Sequence, residues 1–415
     1  MNTLIDVVRM PIVRLDGGIV EQPGYDSVTK LYGEFDPDQL GEIAHRPSDE
    51  MLTEALRAAW LPWSLYRWAT PDDKAAALSM VVTLVFRGVL ELCPGFFSDA
   101  PTQSSGKTAV VTAAGVIITG RRVALCTKSG GRDGEVELAK RFVSAIVAGD
   151  PVWIVDNVTG VFDSAAIAAW LTNGVPGERL LGVNQHTSGP FRAMLLVTGN
   201  NACLSADMAT RLVQMRINTG RERPQAEVFA FDPTDCALET RWDVIHGLLT
   251  LVRGWVDAGG SNRPVPRGSR FVAWSRTACS LVRWLRDSGI ARSAGLGDIG
   301  EPDVSLLGAQ GVVSPDEEAL GRMLEHLDET FGGCPFQSAQ VLVEYRRGRG
   351  AVFESLNWLL REPRHVTAQS ITFALRIRRD KIVGGRSLAL YEPDEMTILS
   401  SRKKQPLEWV VRRHV

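Results

Sequence analysis

The chain has 415 residues, enough for two or three domains. Its 46 Lys and Arg against 48 Asp and Glu leave a formal net charge of −2, which excludes a wholesale polyanion binder and confines any nucleic-acid site to a local patch. At 45% hydrophobic and 23% charged residues, a substantial core is expected and global disorder is excluded.

The six cysteines are scattered singly, without a C-x-x-C pair, and the six histidines do not gather near them. Neither a structural zinc site nor a secreted disulfide framework is expected. The start, MNTLIDVVRMPIVRLDGG, lacks a basic segment followed by a long apolar one. The most apolar stretch, 75–92, carries Arg87 and runs into Cys93-Pro94-Gly95, so it predicts a buried helix rather than a membrane span. A soluble, cytoplasmic protein with no membrane partner is expected.

In chain order, Asp16-Gly17-Gly18 between two short apolar runs predicts a hairpin over 10–25. Ser48-Asp49-Glu50 opens a helix over 48–66, with Leu52, Leu56, Ala59 and Trp60 at helical spacing. Pro71-Asp72-Asp73 opens the next, which runs to about residue 92. Residues 1–95 thus read as an α-rich platform with a short hairpin and nothing catalytic in it. A helix over 109–117, a strand over 123–126, a helix over 135–148 and a strand from 152 to 155 follow. Next come a short helix at 164–171, a polar stretch at 182–191 that predicts a projecting hairpin, an apolar strand at 193–201 and an alternating one at 213–217. Helices over 241–257 and 271–286 flank a loop rich in Gly, Pro and Arg, and the Gly-rich 289–313 predicts a linker. Beyond it, helices at 314–330, 338–345, 353–360 and 367–378 precede a strand-like tail, 381–391, turning at Gly384-Gly385. That is a winged-helix outline. From Thr367 onward basic residues outnumber acidic ones by about two to one, among them Arg376, Arg378, Arg379, Lys381 and Arg386. DNA contact by this segment is expected; a basic surface, or a winged helix used for protein contacts, is the alternative.

Residues 101–108 read PTQSSGKT, between an apolar run and a small-residue helix. A small polar loop entering a helix at Gly-Lys-Thr suits phosphate binding. Backbone amides of Ser104, Ser105 and Gly106 would face phosphate, Lys107 would reach the β/γ-phosphates, and the Thr108 hydroxyl would hold Mg²⁺. Pro101 stands where such loops begin with Gly, and proline has no N–H to donate. A surface turn is the bland reading. Three downstream features oppose it: PVWIVDN is an apolar strand ending in Asp156, AMLLVTGNN is one ending in Asn200-Asn201, and Arg211 follows about ten residues later. This is the order of an oligomeric P-loop ATPase. Asp156 would hold Mg²⁺ through water, or else cap a turn. Asn200 or its neighbour Asn201 would orient water against the γ-phosphate, or else form a Gly-Asn-Asn turn. Arg211, with Arg216 as rival, would reach the γ-phosphate of a neighbouring subunit. Asn157 stands where many such ATPases carry a second acid, so water activation falls to another residue or hydrolysis is slow. Glu135 and Glu137 are the nearest acids, and a solvated helix face is their ordinary reading.

These stretches, together with RERPQ and the C-terminal RRDKIVGGRSL, resemble the ATPase module of phage, plasmid and integrative-element primase–helicases and self-loading helicases. That group is related to superfamily 3 helicases of the AAA+ class. The resemblance implies an α/β fold: a AAA+ P-loop core over 96–300 with a helical lid, and a winged-helix DNA-binding domain over 314–415. It implies a homo-oligomeric ring, usually a hexamer, with ATP between subunits and Arg211 supplied from the next one. It also implies that a hairpin bearing Gln185, His186 and Thr187 tracks single-stranded DNA, although no lysine stands at its tip. The function expected is an ATP-dependent DNA helicase or translocase in replication of a mobile element. An ATP-gated initiator or scaffold with little hydrolysis is the second reading, and a monomeric P-loop NTPase or kinase the third.

Overall fold

The computed structural model describes residues 3–100, 105–127, 131–175, 190–200, 202–218, 230–260, 270–308, 315–360, 365–391 and 407–414. The chain divides into two compact units, Met1–Gly311 and Val312–Val415.

The first unit begins with short strands. β1 (Asp6–Val8), β4 (Gly24–Asp26) and β5 (Leu31–Gly33) form a small sheet in the order β1-β5-β4, and β2 (Ile12–Val13) pairs antiparallel with β3 (Ile19–Val20) across the turn at Gly17. Arg14 reaches from that turn to Asp26, 2.6 Å away, and Thr29 adds a hydroxyl donor at 2.8 Å. The Arg14 hydrogen bond, assisted by Thr29 and opposed by burial, pulls the Asp26 carboxyl down to about 2 from its usual 3.8. A pKa lower in the folded than in the unfolded chain stabilises the fold above pH 3.8, and this is lost as pH falls toward 2. Wild type is therefore expected to lose melting temperature over that window more steeply than Asp26→Asn, as measured by thermal melts between pH 5 and 2.

α1 (Asp49–Trp60) starts at Ser48, whose hydroxyl accepts from the Met51 amide, and α2 (Pro71–Phe86) starts at Thr70, which accepts from the Asp73 amide. α2 is apolar all round because it is buried from Ala75 to Phe86. It ends at Phe86, earlier than the expected residue 92, and its Arg87 cap is itself buried.

The central sheet contains β6 (Gly95–Asp99), β7 (Leu125–Thr127), β8 (Val152–Val158), β10 (Met194–Gly199) and β12 (Leu212–Arg216), in the order β12-β6-β10-β8-β7, all parallel. β9 (Val161–Phe162) and β11 (Cys203–Leu204) make a separate two-stranded pair. Both faces of the large sheet are covered, as a parallel sheet requires. In β8, Val152 and Ile154 enter one core while Trp153 and Val155 enter the other; in β10, Met194 and Leu196 oppose Leu195 and Val197 in the same way. The first core holds α1, α2, α3 (Lys107–Thr119) and, further along, α8 (Arg241–Asp257). The second packs α4 (Gly131–Ala148) and α5 (Ala165–Asn173) around Phe142, Trp153, Trp170 and Phe191. α6 (Ala206–Ala209) and α7 (Pro233–Glu239) are short. Arg241 closes α3: its Nε donates to the Ile117 carbonyl at 2.9 Å, placing a cation at a helix C-terminus.

The helix expected over 271–286 is interrupted. α9 (Val272–Trp274) and α10 (Ser280–Asp287) are joined by a π turn at Ser275–Cys279. The segment 289–308 corrects an expectation. It is not a linker but carries α11 (Ile290–Ser293) and α12 (Val304–Gly308), with Ile290, Ala291, Leu296, Ile299 and Leu306 in the first core. Its glycines turn the chain while scattered apolar residues anchor it, a pattern with no period to read.

The second unit contains α13 (Pro315–Phe331), β13 (Phe336–Gln337), α14 (Ser338–Tyr345), α15 (Ala351–Leu359), α16 (Ala368–Ile377), β14 (Arg386–Leu390) and β15 (Glu408–Arg413). Its sheet is antiparallel, ordered β13-β15-β14, and shares one core with the helices around Trp409, Phe336 and Leu356. Gly384-Gly385 turns the chain within 381–391, where Val383 and Arg386 exchange backbone hydrogen bonds at 2.8 and 3.0 Å. The turn leads into β14, and the partner of β14 is the distant β15. Asp328 on α13 ties this sheet down, accepting from Arg386 at 2.9 Å and Arg413 at 2.9 Å.

Candidate active site

β6, β10 and β8 are neighbours, so their carboxyl ends converge. The loop after β6, the end of β8 and the end of β10 meet there around a cleft of about 580 Å³. It is lined by Ser105, Gly106, Lys107, Thr108, Ala109, Asp156, Asn157, Thr198 and Asn200. Ligands of open α/β sheets bind at such carboxyl ends.

Gly106 precedes α3 at φ +82, the left-handed region where glycine is unstrained. A Cβ there would stand 2.9 Å from Tyr66 Cε1. The Tyr66 hydroxyl donates to the Gly106 carbonyl at 3.0 Å, clamping the loop from the N-terminal segment. Residues 1–95 therefore support the site, although nothing in them read as catalytic. Burial, then the charge of Asp232, pushes the Tyr66 phenol well above its ordinary value and keeps it a neutral donor. Asp232 caps α7, which a Thr112–Thr234 hydroxyl pair at 2.9 Å ties to α3.

Lys107 is buried, with Nζ 3.3 Å from Ser105 Oγ. Burial lowers its pKa, while Asp99 and Asp156 pull it back up. Asp99, the last residue of β6, has its own pKa raised by burial, and its Oδ1 is enclosed with no hydrogen-bond partner among the described residues.

Asp156 is the hub. Its Oδ1 accepts from Thr108 Oγ1 at 2.8 Å and from Thr198 Oγ1 at 2.7 Å. Thr198 Oγ1 in turn accepts from the Asn157 amide at 2.8 Å. The ladder slips at this point: Val197 faces Val155 and Gly199 faces Val158, so Asp156 and Asn157 together oppose Thr198. Such a bulge re-aims side chains next to active sites. Asn157 sits at φ +58, a conformation Asn tolerates better than most non-glycine residues. Sequence reasoning missed Thr198. Its signal was a hydroxyl inside an apolar strand, one residue before the turn.

Among the described residues no group of three or more His, Cys, Asp or Glu could hold a metal. Thr108 and Asp156 offer two oxygens side by side, which fits a hard cation that keeps most of its water. Glu137 pairs with Lys140 and Arg141 on α4, and neither it nor Glu135 lines the cleft.

No family model and no curated protein matches the chain. Among solved structures it is similar to "SCCmec type IV Cch - active helicase", at 10% identity and TM-score 0.37 over 99% of this chain and 79% of that one. It is also similar to "The X-ray structure of JCV Helicase", at 15% identity and TM-score 0.25 over 60% of this chain and 73% of that one. Likeness at this level decides nothing about chemistry, which rests on the residues above.

Arg211 is not in the cleft. It is buried, donating through Nε to the Ala168 carbonyl at 3.1 Å and Thr172 Oγ1 at 3.0 Å, and through Nη1 to Asp207 Oδ1 at 2.5 Å. Arg216 is exposed at the end of β12. Ser104, Asn201, Gln185, His186 and Thr187 lie outside the described residues. In the second unit Arg376, Arg379 and Lys381 are exposed around α16, as are Phe373 and Ile377. Arg378 and Arg386 turn to their own chain, Arg378 toward the Ala374 carbonyl and Arg386 toward Asp328. No helix among the described residues is long and apolar enough to cross a membrane.

Proposed function

We propose that the chain is an ATP-dependent DNA helicase or translocase acting in replication of a mobile genetic element, working as a homo-oligomeric ring with ATP between subunits. The Asp156 cluster carries the ATP reading: a hydroxyl from α3 and one from β10 meet one carboxylate oxygen beside a buried lysine. In this reading the amides of Ser104, Ser105 and Gly106 face phosphate, Lys107 reaches the β/γ-phosphates, and Thr108 and Asp156 hold Mg²⁺. Asn200 orients water. Bound ATP and Mg²⁺ supply the phosphoryl group and neutralise its charge. The chain's own contribution is positioning and electrostatic stabilisation. Arg211 acts from the neighbouring subunit only if its bonds to Ala168 and Thr172 are exchanged on assembly; Arg216 is the rival.

DNA enters this reading twice. Gln185, His186 and Thr187 meet the single strand in the channel. The second unit is a winged helix that meets duplex through α16 and the basic residues Arg376, Arg378, Arg379, Lys381 and Arg386.

Asn157 favours a second reading, an ATP-gated DNA-binding initiator with little turnover, because an amide lines the cleft where a base is needed. ATP hydrolysis with and without single-stranded DNA separates the two. The motor is expected to show DNA-stimulated turnover. Tight ATP binding with negligible turnover on DNA, rescued by Asn157→Glu, would leave the gated initiator.

A further inference from the structure

A second cavity, of about 370 Å³, lies at the opposite end of the sheet. It is walled by β1, the ends of α2 and α3, and the residues that lead into β8 and β10. We propose that it is a binding site for a small organic anion, a carboxylate or phosphate head on an apolar body.

Two guanidinium groups define its polar end. Arg87 is 5% exposed, and its Nε and Nη1 donate to the carbonyls of Ala193 at 3.0 Å and Leu90 at 2.7 Å. Arg192 donates through Nη1 to the Gly88 carbonyl at 2.5 Å, and its Nε is enclosed with no partner among the described residues. All of these acceptors are neutral, so neither positive charge is cancelled by its hydrogen bonds. Neither arginine makes an ion pair within 4.0 Å among the described residues. Arg87 is buried and Arg192 half-buried, and a buried cation near a second one is costly without a counter-charge.

Among the described residues three carboxyls, Asp6, Glu34 and Asp150, line the cavity against four guanidinium groups, Arg9, Arg87, Arg121 and Arg192. Asp6 on β1 acts on both Arg87 and Arg192, and Glu91 also acts on Arg192. Burial pushes the Asp6 pKa up, against the Val7 amide and the two arginines, which pull it down. The like charges also repel: after burial, Arg192 is among the influences that lower the Arg87 pKa. Among the described residues guanidinium groups outnumber carboxyls in this lining, and Arg87 and Arg192 have only neutral acceptors. An anionic ligand would add charged oxygens, which make short, strong hydrogen bonds to guanidinium donors.

The other walls set the body of the ligand. Ile12, Leu84, Val85 and Ile118 line the cavity and are buried. A purely inorganic ion would leave these walls without a partner, whereas an alkyl chain would cover them. The volume suits a compact metabolite-sized ligand. Arg121, exposed, stands at the cavity lining and adds charge on the entry side.

The site is separate from the carboxyl-end cleft, and its test needs no ATP turnover. Isothermal titration of the full chain would use octanoate, octyl phosphate, 1-octanol and inorganic phosphate. Octanoate or octyl phosphate is expected to bind saturably, at least about tenfold tighter than 1-octanol or inorganic phosphate. The preferred head separates a carboxylate from a phosphate ligand. Loss of one charge-assisted contact in Arg192→Met is expected to weaken binding roughly 10- to 100-fold. Arg121→Glu, on the surface, should weaken it several-fold and decides the matter if Arg192→Met fails to fold. Neither variant should change ATP affinity. The proposal is overturned if no anion binds, if 1-octanol or inorganic phosphate binds as well as the alkyl anions, or if folded Arg192→Met or Arg121→Glu binds like wild type.

Discussion

Lys107→Ala is expected to lower ATP turnover by roughly 10³-fold, the range seen when a single charge-stabilising donor is removed from a preorganised site. Lys107 is buried beside Ser105, with Asp99 and Asp156 close enough to influence its charge. Desolvation is what makes the cation effective. A buried ammonium interacts with phosphate oxygens through protein rather than through water, so its attraction is screened far less. The same desolvation makes Lys107 a burden on the empty fold. Lys107→Ala should therefore melt at or slightly above the wild-type temperature despite its loss of turnover. Steady-state hydrolysis and a thermal melt on the same preparation check both halves. Wild-type turnover in a folded variant would remove the assignment of this loop to phosphate.

Asp156→Asn is expected to cost roughly 10²–10³-fold in turnover and to abolish the Mg²⁺ dependence of nucleotide binding. The substitution is close to isosteric. An amide oxygen can still accept from Thr108 and Thr198, so the hydroxyl cluster and the bulge at Asn157 can persist. What disappears is the negative charge. A hard divalent cation prefers a carboxylate, and with the charge gone its hold falls to a neutral hydroxyl and a neutral carbonyl. ATP affinity measured with Mg²⁺ and then with EDTA should converge in the variant and differ in wild type. If the two conditions differ as much in Asp156→Asn as in wild type, Asp156 is a structural cap and the metal lies elsewhere.

Much of the candidate site was legible because its signals are local. A Gly-Lys-Thr at a helix start, an acid ending an apolar strand and a polar turn ending another each arise within about ten residues. The alternation of β8 and β10 is equally local, although only the sheet assigns Trp153 to one core and Ile154 to the other. The composition of α2, apolar on every side, already required burial without saying against what.

What the tertiary structure decided is everything that depends on which strands are neighbours. Thr198 meets Asp156 because β10 lies beside β8, and the bulge that holds Asn157 at positive φ exists only in that pairing. Tyr66 reaches Gly106 across forty residues. Arg211 has the spacing of a projecting cation, yet in the folded subunit it is enclosed by Ala168, Thr172 and Asp207. The Gly-rich segment over 289–308 joins the core, and β15 pairs with both β14 and β13, which lies before three helices in the chain. Periodicity and turn chemistry act through contacts a few residues apart, so the sequence by itself determined the elements and the chemical groups they carry. Hydrophobic burial is non-directional and joins whatever surfaces fit, so only the assembled fold determined which of those groups face one another.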